Sequence, residues 1–337
     1  MDYSKLSIVR PPEINSIWLP EDRLGALRVR FSIGRNRYRV NPGLYRLGSP
    51  GSDSEVFVSA NYKLSFDLLR KSLEGMHAWI LVLETFGINV WCAAGKGTFG
   101  SDELIRQVNT SGLNLYVTHR RLIVPQLGAP GVSAQKVKEA TGYQVKFGPV
   151  RAEDIKNYIS AGYKKDEVSR TVQFKMRDRF ILTAVELANS LRYLIIAIIL
   201  FALISGIHSE GYSFELIWKE GLKATLLLLA AYLSGAFLAP LLLPFLPFRH
   251  FGGKGMLSGI LVFALIAIFG NLHLNLLSLL AWLLISGAIS SYLTMNFTGA
   301  STYTSLSGVR KEMGIFVPVQ IAFALAGLTL LLISKLL

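Results

Sequence analysis

The chain has 337 residues and a single cysteine, Cys92. One thiol excludes an internal disulfide. It also excludes any zinc or iron–sulfur site that draws two or more thiolates from this chain. Charge is scarce in the second half: from residue 181 onward there are 8 Lys/Arg and 5 Asp/Glu, against 27 and 17 before it. Ion and proton pathways through a bilayer carry buried acids or bases. The apolar stretches offer only Arg192, close enough to an end to snorkel to the interface, so they read as an anchor. The opening "MDYSKLSIVRPPE" is polar and broken by Pro11 and Pro12, without a signal-peptide pattern. The net charge is +13, yet the bases are mixed with acids and no reading motif is present, so no nucleic-acid partner is expected.

What is present in excess is apolar sequence, 51% of the residues. Five stretches approach the roughly 20 residues needed to cross a bilayer: 188–207, 222–243, 256–274, 276–294 and 315–334. Loops bearing Arg249 and Lys254, then Arg310 and Lys311, alternate with loops bearing Glu210, Glu215 and Glu220 or no base at all. The positive-inside rule then makes the N-terminal domain cytoplasmic and the C-terminus external, in a multi-pass inner (cytoplasmic) membrane protein. The expected organisation is an N-terminal arm at 1–54, an α/β domain at 55–165, a basic linker at 166–187 and a membrane domain of five transmembrane helices at 188–337. The basic soluble part suits a surface of anionic membrane lipid. The loop "NFTGASTYTSLSGV" (296–309) is rich in hydroxyls and reads either as a polar turn or as a contact for the soluble domain.

Within the soluble half, "LGALRVRFSIGRNRYRVNPG" reads as a short strand pair of the arm. From residue 55 strands and helices alternate: "EVFVSAN" and "AWILVLE" as strands around the helix "LSFDLLRKSLEG", then the helix "SDELIRQVNTSG". "LNLYVTH", "RRLIVPQ" and "YQVKFGPV" follow as strands, with helices at "SAQKVKEATG" and "RAEDIKNYISAG". This alternation predicts an α/β fold with a mostly parallel, Rossmann-like sheet. Ligands of such sheets bind beyond the C-terminal strand edge.

"NVWCAAGKGTF" (89–99) lies in the loop after a strand and holds Cys92. A lone cysteine is ordinarily a small buried apolar residue. Here Ala93, Ala94 and Gly95 clear space for a large planar group. Asn89 and Trp91 add a hydrogen-bonding group and a flat apolar surface, and Lys96, one turn on, brings a positive charge beside the thiol. A Cys–His pair with His77 or His119 as base is a competing reading. "GKGTFG" fits the letters of a dinucleotide-binding loop, but the acid expected about 20 residues on is absent.

The run Asn89-Val90-Trp91-Cys92-Ala93-Ala94-Gly95-Lys96 resembles the cap-helix signature of the mercury-methylating corrinoid proteins. "VFVSANYKLSFDLLR", "THRRLIVPQLGAPGV" and "VKFGPVRAEDI" are similar to the corrinoid domain of the corrinoid iron–sulfur protein large subunit. The resemblance covers about residues 55–160 and implies a cobalamin-type corrinoid bound base-off. Cys92 would be the lower axial cobalt ligand, and Ser59, Asn61 and His119 would join the residues of the run around the cofactor. No rival D-x-H-x-x-G ligand motif is present. A thiolate is a strong donor, which favours release of a methyl to the soft acceptor Hg(II), giving methylmercury. The resemblance further implies a ferredoxin-like iron–sulfur protein as reductant and as Hg(II) donor through its thiols, and a methyl-folate-dependent enzyme as methyl source; no iron–sulfur cluster is expected in this chain. The alternative is a corrinoid methyl carrier serving another acceptor, such as a nickel centre in acetyl-CoA synthesis. A transporter with a regulatory α/β domain is the third reading, and the uncharged spans argue against it.

Overall fold

The computed structural model describes residues 10–270, 272–301 and 306–337. The chain forms two compact units. One takes in Ile33–Gln173 and the residues up to Val29; the other takes in Phe174–Leu337 and Arg30–Ser32.

The first unit runs β1 (Glu13–Ile14), α1 (Pro20–Arg30), β2 (Gly43–Leu47), β3 (Val56–Ala60), α2 (Lys63–Ser72) and β4 (Ala78–Leu83). It continues with α3 (Val90–Lys96), α4 (Ser101–Thr110), β5 (Arg121–Val124), α5 (Ala134–Thr141), β6 (Gln144–Phe147), α6 (Ile155–Ser160) and α7 (Glu167–Arg170). The sheet order is β1-β2-β4-β3-β5-β6. Strands β4, β3, β5 and β6 are parallel, while β2 runs antiparallel to β4. Strands β3 and β4 are buried along their whole length, as expected for parallel strands covered on both faces. Their side chains feed two cores in alternation: Val58, Leu81 and Leu83 on one side, Phe57, Ile80 and Val82 on the other. The chain steps from β3 to β4 and then back across β3 to β5, so the connections diverge between β3 and β5, where such sheets open a crevice.

The N-terminal region departs from expectation. The anticipated strand pair is instead α1 and a 3-10 turn, Arg35–Arg37. Pro20, Glu21 and Asp22 are favoured at a helix start, and Asp22, Ala26 and Val29 repeat at helical spacing on the buried side. Gly25 is needed where α1 meets Tyr38, because a Cβ there would lie 2.4 Å from the Tyr38 hydroxyl. Asp22 accepts from Arg70 at 2.6 Å and Lys63 at 2.5 Å, and Asp67 accepts from Arg70 Nε at 2.8 Å. Residues 10–29 and 33–54 therefore cluster with the α/β unit, where the sequence predicts a separate arm at 1–54. "LNLYVTH" is likewise a 3-10 turn (Leu113–Leu115) and a loop, entered through Gly112 in the left-handed region.

The second unit consists of α8 (Met176–Ser205), α9 (Phe214–Leu241), α10 (Phe251–Phe269), α11 (Leu276–Asn296) and α12 (Leu306–Leu336). Among the described residues five helices are long and apolar enough to cross a membrane. The expected linker is partly helical: α7 and the first twelve residues of α8 lie within 166–187. A π-helical turn, Ser234–Leu238, precedes Pro240 in α9, and Thr294 Oγ1 lies 2.9 Å from the Gly235 carbonyl it frees. Small residues set the packing. A Cβ on Gly255 would meet the Ser290 carbonyl at 2.5 Å, and one on Gly259 the Ser286 carbonyl at 2.4 Å. Arg192 is not the only ionisable residue in these helices. Glu186 bonds Asn296, and the buried Glu312 accepts from Gly252 N at 2.7 Å with His250 Nδ1 at 3.8 Å. The middle of the hydroxyl-rich loop, 302–305, lies outside the described residues.

Candidate functional site at the C-terminal edge of the sheet

Strand β3 ends at Ala60, and the next residue, Asn61, is 1% exposed. Its amide oxygen accepts from Thr85 N at 3.2 Å, Thr85 Oγ1 at 2.8 Å and Gly87 N at 2.9 Å. Its amide nitrogen donates to Glu84 Oε1 at 2.6 Å, which also accepts from Phe86 N at 2.7 Å. Glu84 N donates in turn to Glu103 Oε1 at 2.7 Å. Burial alone would raise the Glu103 pKa, but bonds from Arg106, Gln107 and this N–H outweigh it and hold the carboxyl below its usual range. The network fixes a tight turn in which Phe86 and Gly87 both take positive φ, 57° and 75°. For phenylalanine that conformation is strained.

The turn delivers the chain into α3. Asn89 caps the helix by accepting from Cys92 N at 2.9 Å, and Gly97 closes it in the left-handed region. Val90, Ala93 and Ala94 point into the core beneath, while Trp91, Cys92, Gly95 and Lys96 are exposed. A Cβ on Gly95 would meet nothing within 4 Å. The helix packs on β3 and on the 3-10 turn Gln126–Gly128 that follows β5, and so bridges the point where the connections diverge. Glycine makes that approach close. A Cβ on Gly131 would lie 2.2 Å from the Phe99 carbonyl and 3.2 Å from Ala94 Cα, and one on Gly128 2.5 Å from the Phe99 ring.

The eleven residues expected around a ligand thus divide. Trp91, Cys92, Gly95 and Lys96 share one open face, with Asn89 at its edge. Val90, Ala93 and Ala94 do not join them, because positions 90, 93 and 94 fall on the helix's inner side; Ala93 is fully buried. Ser59 is buried within β3 and donates to the Ala60 carbonyl. Asn61 is spent on the turn. His119 lies before β5, at the opposite edge of the sheet, where Nε2 is 2.9 Å from the Ser54 carbonyl. His77, just before β4, accepts from Ser49 N at 3.0 Å. Strands β4 and β5, of six and four residues, span about 13–20 Å, so neither histidine pairs with Cys92. The sequence reading passed over Phe86, Glu84, Glu103, Gly128 and Gly131. A glycine following a bulky residue in a short strand-to-helix loop, "ETFGIN", is the available signal for the first of these.

Comparison with known proteins adds a family resemblance over the α/β unit. Residues 20–159 match the CO dehydrogenase/acetyl-CoA synthase delta subunit family. The acetyl-CoA decarbonylase/synthase complex subunit gamma of Archaeoglobus fulgidus is 29% identical over 146 residues, 42% of this chain and 31% of that protein. That of Methanopyrus kandleri is 28% identical over 131 residues, 38% and 28% of the two chains. Subunit gamma 1 of Methanosarcina mazei is 31% identical over 103 residues, 29% and 22% of the two. The chain spans less than a third of the length of these relatives. The family match begins at the first residue of α1, so it includes the helix that the sequence reading took for a strand, and it ends before α8.

Proposed function

We propose that this chain is a membrane-held corrinoid protein that carries and transfers a methyl group, with the Cys92 thiolate as the lower ligand of the cobalt. The family match over the α/β unit supports the corrinoid and the carrier role. The observation that carries the ligand assignment is the exposed cysteine on the outer face of α3, at the ligand-binding edge of the sheet. The residues present fit the group. The face offers one soft donor, the Gly95 position is open ground, and neither histidine of the α/β unit, His77 or His119, reaches the site to compete.

When bound, the corrinoid would supply a cobalt-held methyl group, given up with the bonding electron pair to Hg(II) or without it to a reduced nickel centre. The chain's own part is to hold and shape. Cys92 would hold the cobalt through its sulfur and donate electron density to it, Trp91 and Gly95 would line the bound ring, and Lys96 would set a positive charge beside it. Asn89 fixes the thiol by capping the helix. Ala93 and Ala94 seat that helix on the core, and Asn61 holds the turn that launches it.

Two acceptors remain in play, and different observations favour each. The relatives named as subunits of an acetyl-CoA decarbonylase/synthase complex support delivery to an acceptor of that chemistry, such as a nickel centre, and the comparisons favour this reading. Cys92 supports inorganic Hg(II), since thiolate donation suits transfer to a soft electrophile. Relatives that work as complex subunits also support protein partners: a ferredoxin-like reductant and a methyl-folate-dependent donor enzyme. The five apolar helices support a multi-pass membrane location, and the loop charges support a cytoplasmic α/β unit. Purified full chain loaded with methylated corrinoid should lose its methyl to Hg(II) supplied as a thiol complex. Transfer only to a nickel acceptor would establish the acetyl-CoA-type carrier, and transfer to neither would overturn the proposal.

A further inference from the structure

Helix α1 carries two faces. Asp22, Ala26 and Val29 are buried on one. With 3.6 residues per turn, Leu24, Leu27 and the following Phe31 fall together on the opposite side. They are 56%, 54% and 43% exposed. Arg23 and Arg30 flank this stripe on one edge and Arg28 on the other. Ile17, Leu19 and Ile33 on the approaches are exposed as well. Single exposed apolar residues are ordinary. A cluster aligned on one helix face is a patch that marks an interaction surface.

We propose that α1 and its flanks dock on an anionic lipid surface, with the apolar stripe inserted at the headgroup boundary and the arginines reaching to lipid phosphates. Charge complementarity selects this occupant. Arg23, Arg28 and Arg30, with Arg35 and Arg37 in the next turn, stand against Glu21, since Asp22 is turned inward to Lys63 and Arg70. None of these five arginines makes an ion pair among the described residues. An apolar stripe edged by arginine is the composition of an interfacial helix. The proposal rests on the reading that the second unit spans a bilayer, which keeps the α/β unit at high local concentration beside lipid. Because Asp22 ties α1 to α2, docking would fix the orientation of the whole sheet to the membrane, and with it the Cys92 face.

The test uses the full chain in vesicles, in a Cys92→Ser background, with an environment-sensitive fluorophore at Leu27→Cys, Gln135→Cys or Leu226→Cys. Quenchers are a spin-labelled lipid and aqueous iodide. In vesicles containing phosphatidylserine the Leu27 label should be quenched by lipid, the exposed Gln135 label on α5 should not, and the Leu226 label on α9 should be quenched in every bilayer. Arg23→Gln and Arg28→Gln should each lower the docked-to-free ratio at Leu27 about fivefold. A Leu27 label quenched no more than Gln135, with Leu226 still quenched, overturns docking and leaves the anchor intact. A Leu27 label shielded from iodide but untouched by lipid quencher is covered by protein, which also overturns it. Loss of quenching at Leu226 overturns the anchor and the docking together.

Discussion

At the N-terminal edge of the parallel strands, polar groups close on one another. Thr118 donates to Asp53 at 2.8 Å, His119 meets the Ser54 carbonyl, and Arg121 pairs with Glu55 at 2.9 Å while Tyr163 bonds the same carboxylate. At the C-terminal edge the network is as dense below α3, where Asn61 and Glu84 satisfy a strained turn, but it stops there. Trp91, Cys92, Gly95 and Lys96 stand exposed above it. One edge pairs its side chains with one another, leaving only Glu55 Oε2 and Arg121 Nε buried without a partner among the groups named. The other is a rigid support under a single open thiol, which is how a site is prepared for a ligand it must hold firmly.

The largest effect expected from breaking this contrast is at the thiol. Cys92→Ala should abolish methyl transfer while shifting stability by no more than about 0.5 kcal/mol, as for an exposed position. His119→Gln, at the other edge, should leave transfer and corrinoid affinity near wild type. Parallel transfer assays and thermal melts decide, and equal losses in the two variants would erase the distinction between the edges.

Asn61→Ala should come next. It strands the Thr85 and Gly87 donors in a buried place, at about 1–3 kcal/mol. Denaturant unfolding measures that cost. The reaction rate of Cys92 with an aromatic disulfide reports the position of α3, and it should change in this variant and recover in part in Asn61→Asp. An unchanged thiol rate would make Asn61 a residue of stability alone.

Ala93→Leu sharpens the distinction between the two faces of α3. Overpacking the fully buried Ala93 should cost about 1–3 kcal/mol in the unloaded protein. A bulky residue facing the ligand would instead leave unloaded stability alone and block binding.

These cases show what the sequence could convey. Strands β3 and β4 were legible because buried parallel strands are continuous apolar runs. Cys92 and its helix were legible because the run around them resembles a known cap helix. Helix α1 was not, since apolar residues and arginines alternate from Leu27 to Phe31 and imitate a strand; its helical phase emerges only once Asp22 is buried against Arg70 and Lys63. The inward turn of Ala93 and Ala94 was hidden for a related reason. Small residues suit both an open platform and a tight helix-to-core contact, and which they serve depends on the turn held by Asn61, 32 residues before Ala93 in the chain.

The smallest effect concerns pH. Burial would raise the Asp22 pKa, but bonds from Lys63, the Leu19 N–H and Arg70 outweigh it and hold the carboxyl below its ordinary value. A depressed carboxyl stabilises the fold above its unfolded pKa and loses that contribution as pH falls through the folded one. Hydrogen exchange across α1 should therefore quicken selectively below about pH 4, with β4 protected. Uniform exchange across α1 and β4 would mean that the Asp22 clamp is not the weak point.

The central claim is that the open thiol at the C-terminal edge is the cobalt ligand. X-ray absorption at the cobalt edge of the full chain loaded with corrinoid reads it directly. The account predicts a sulfur neighbour in the wild type that vanishes in Cys92→Ala, with the corrinoid still present. A cobalt with only nitrogen and oxygen neighbours in the loaded wild type would contradict it.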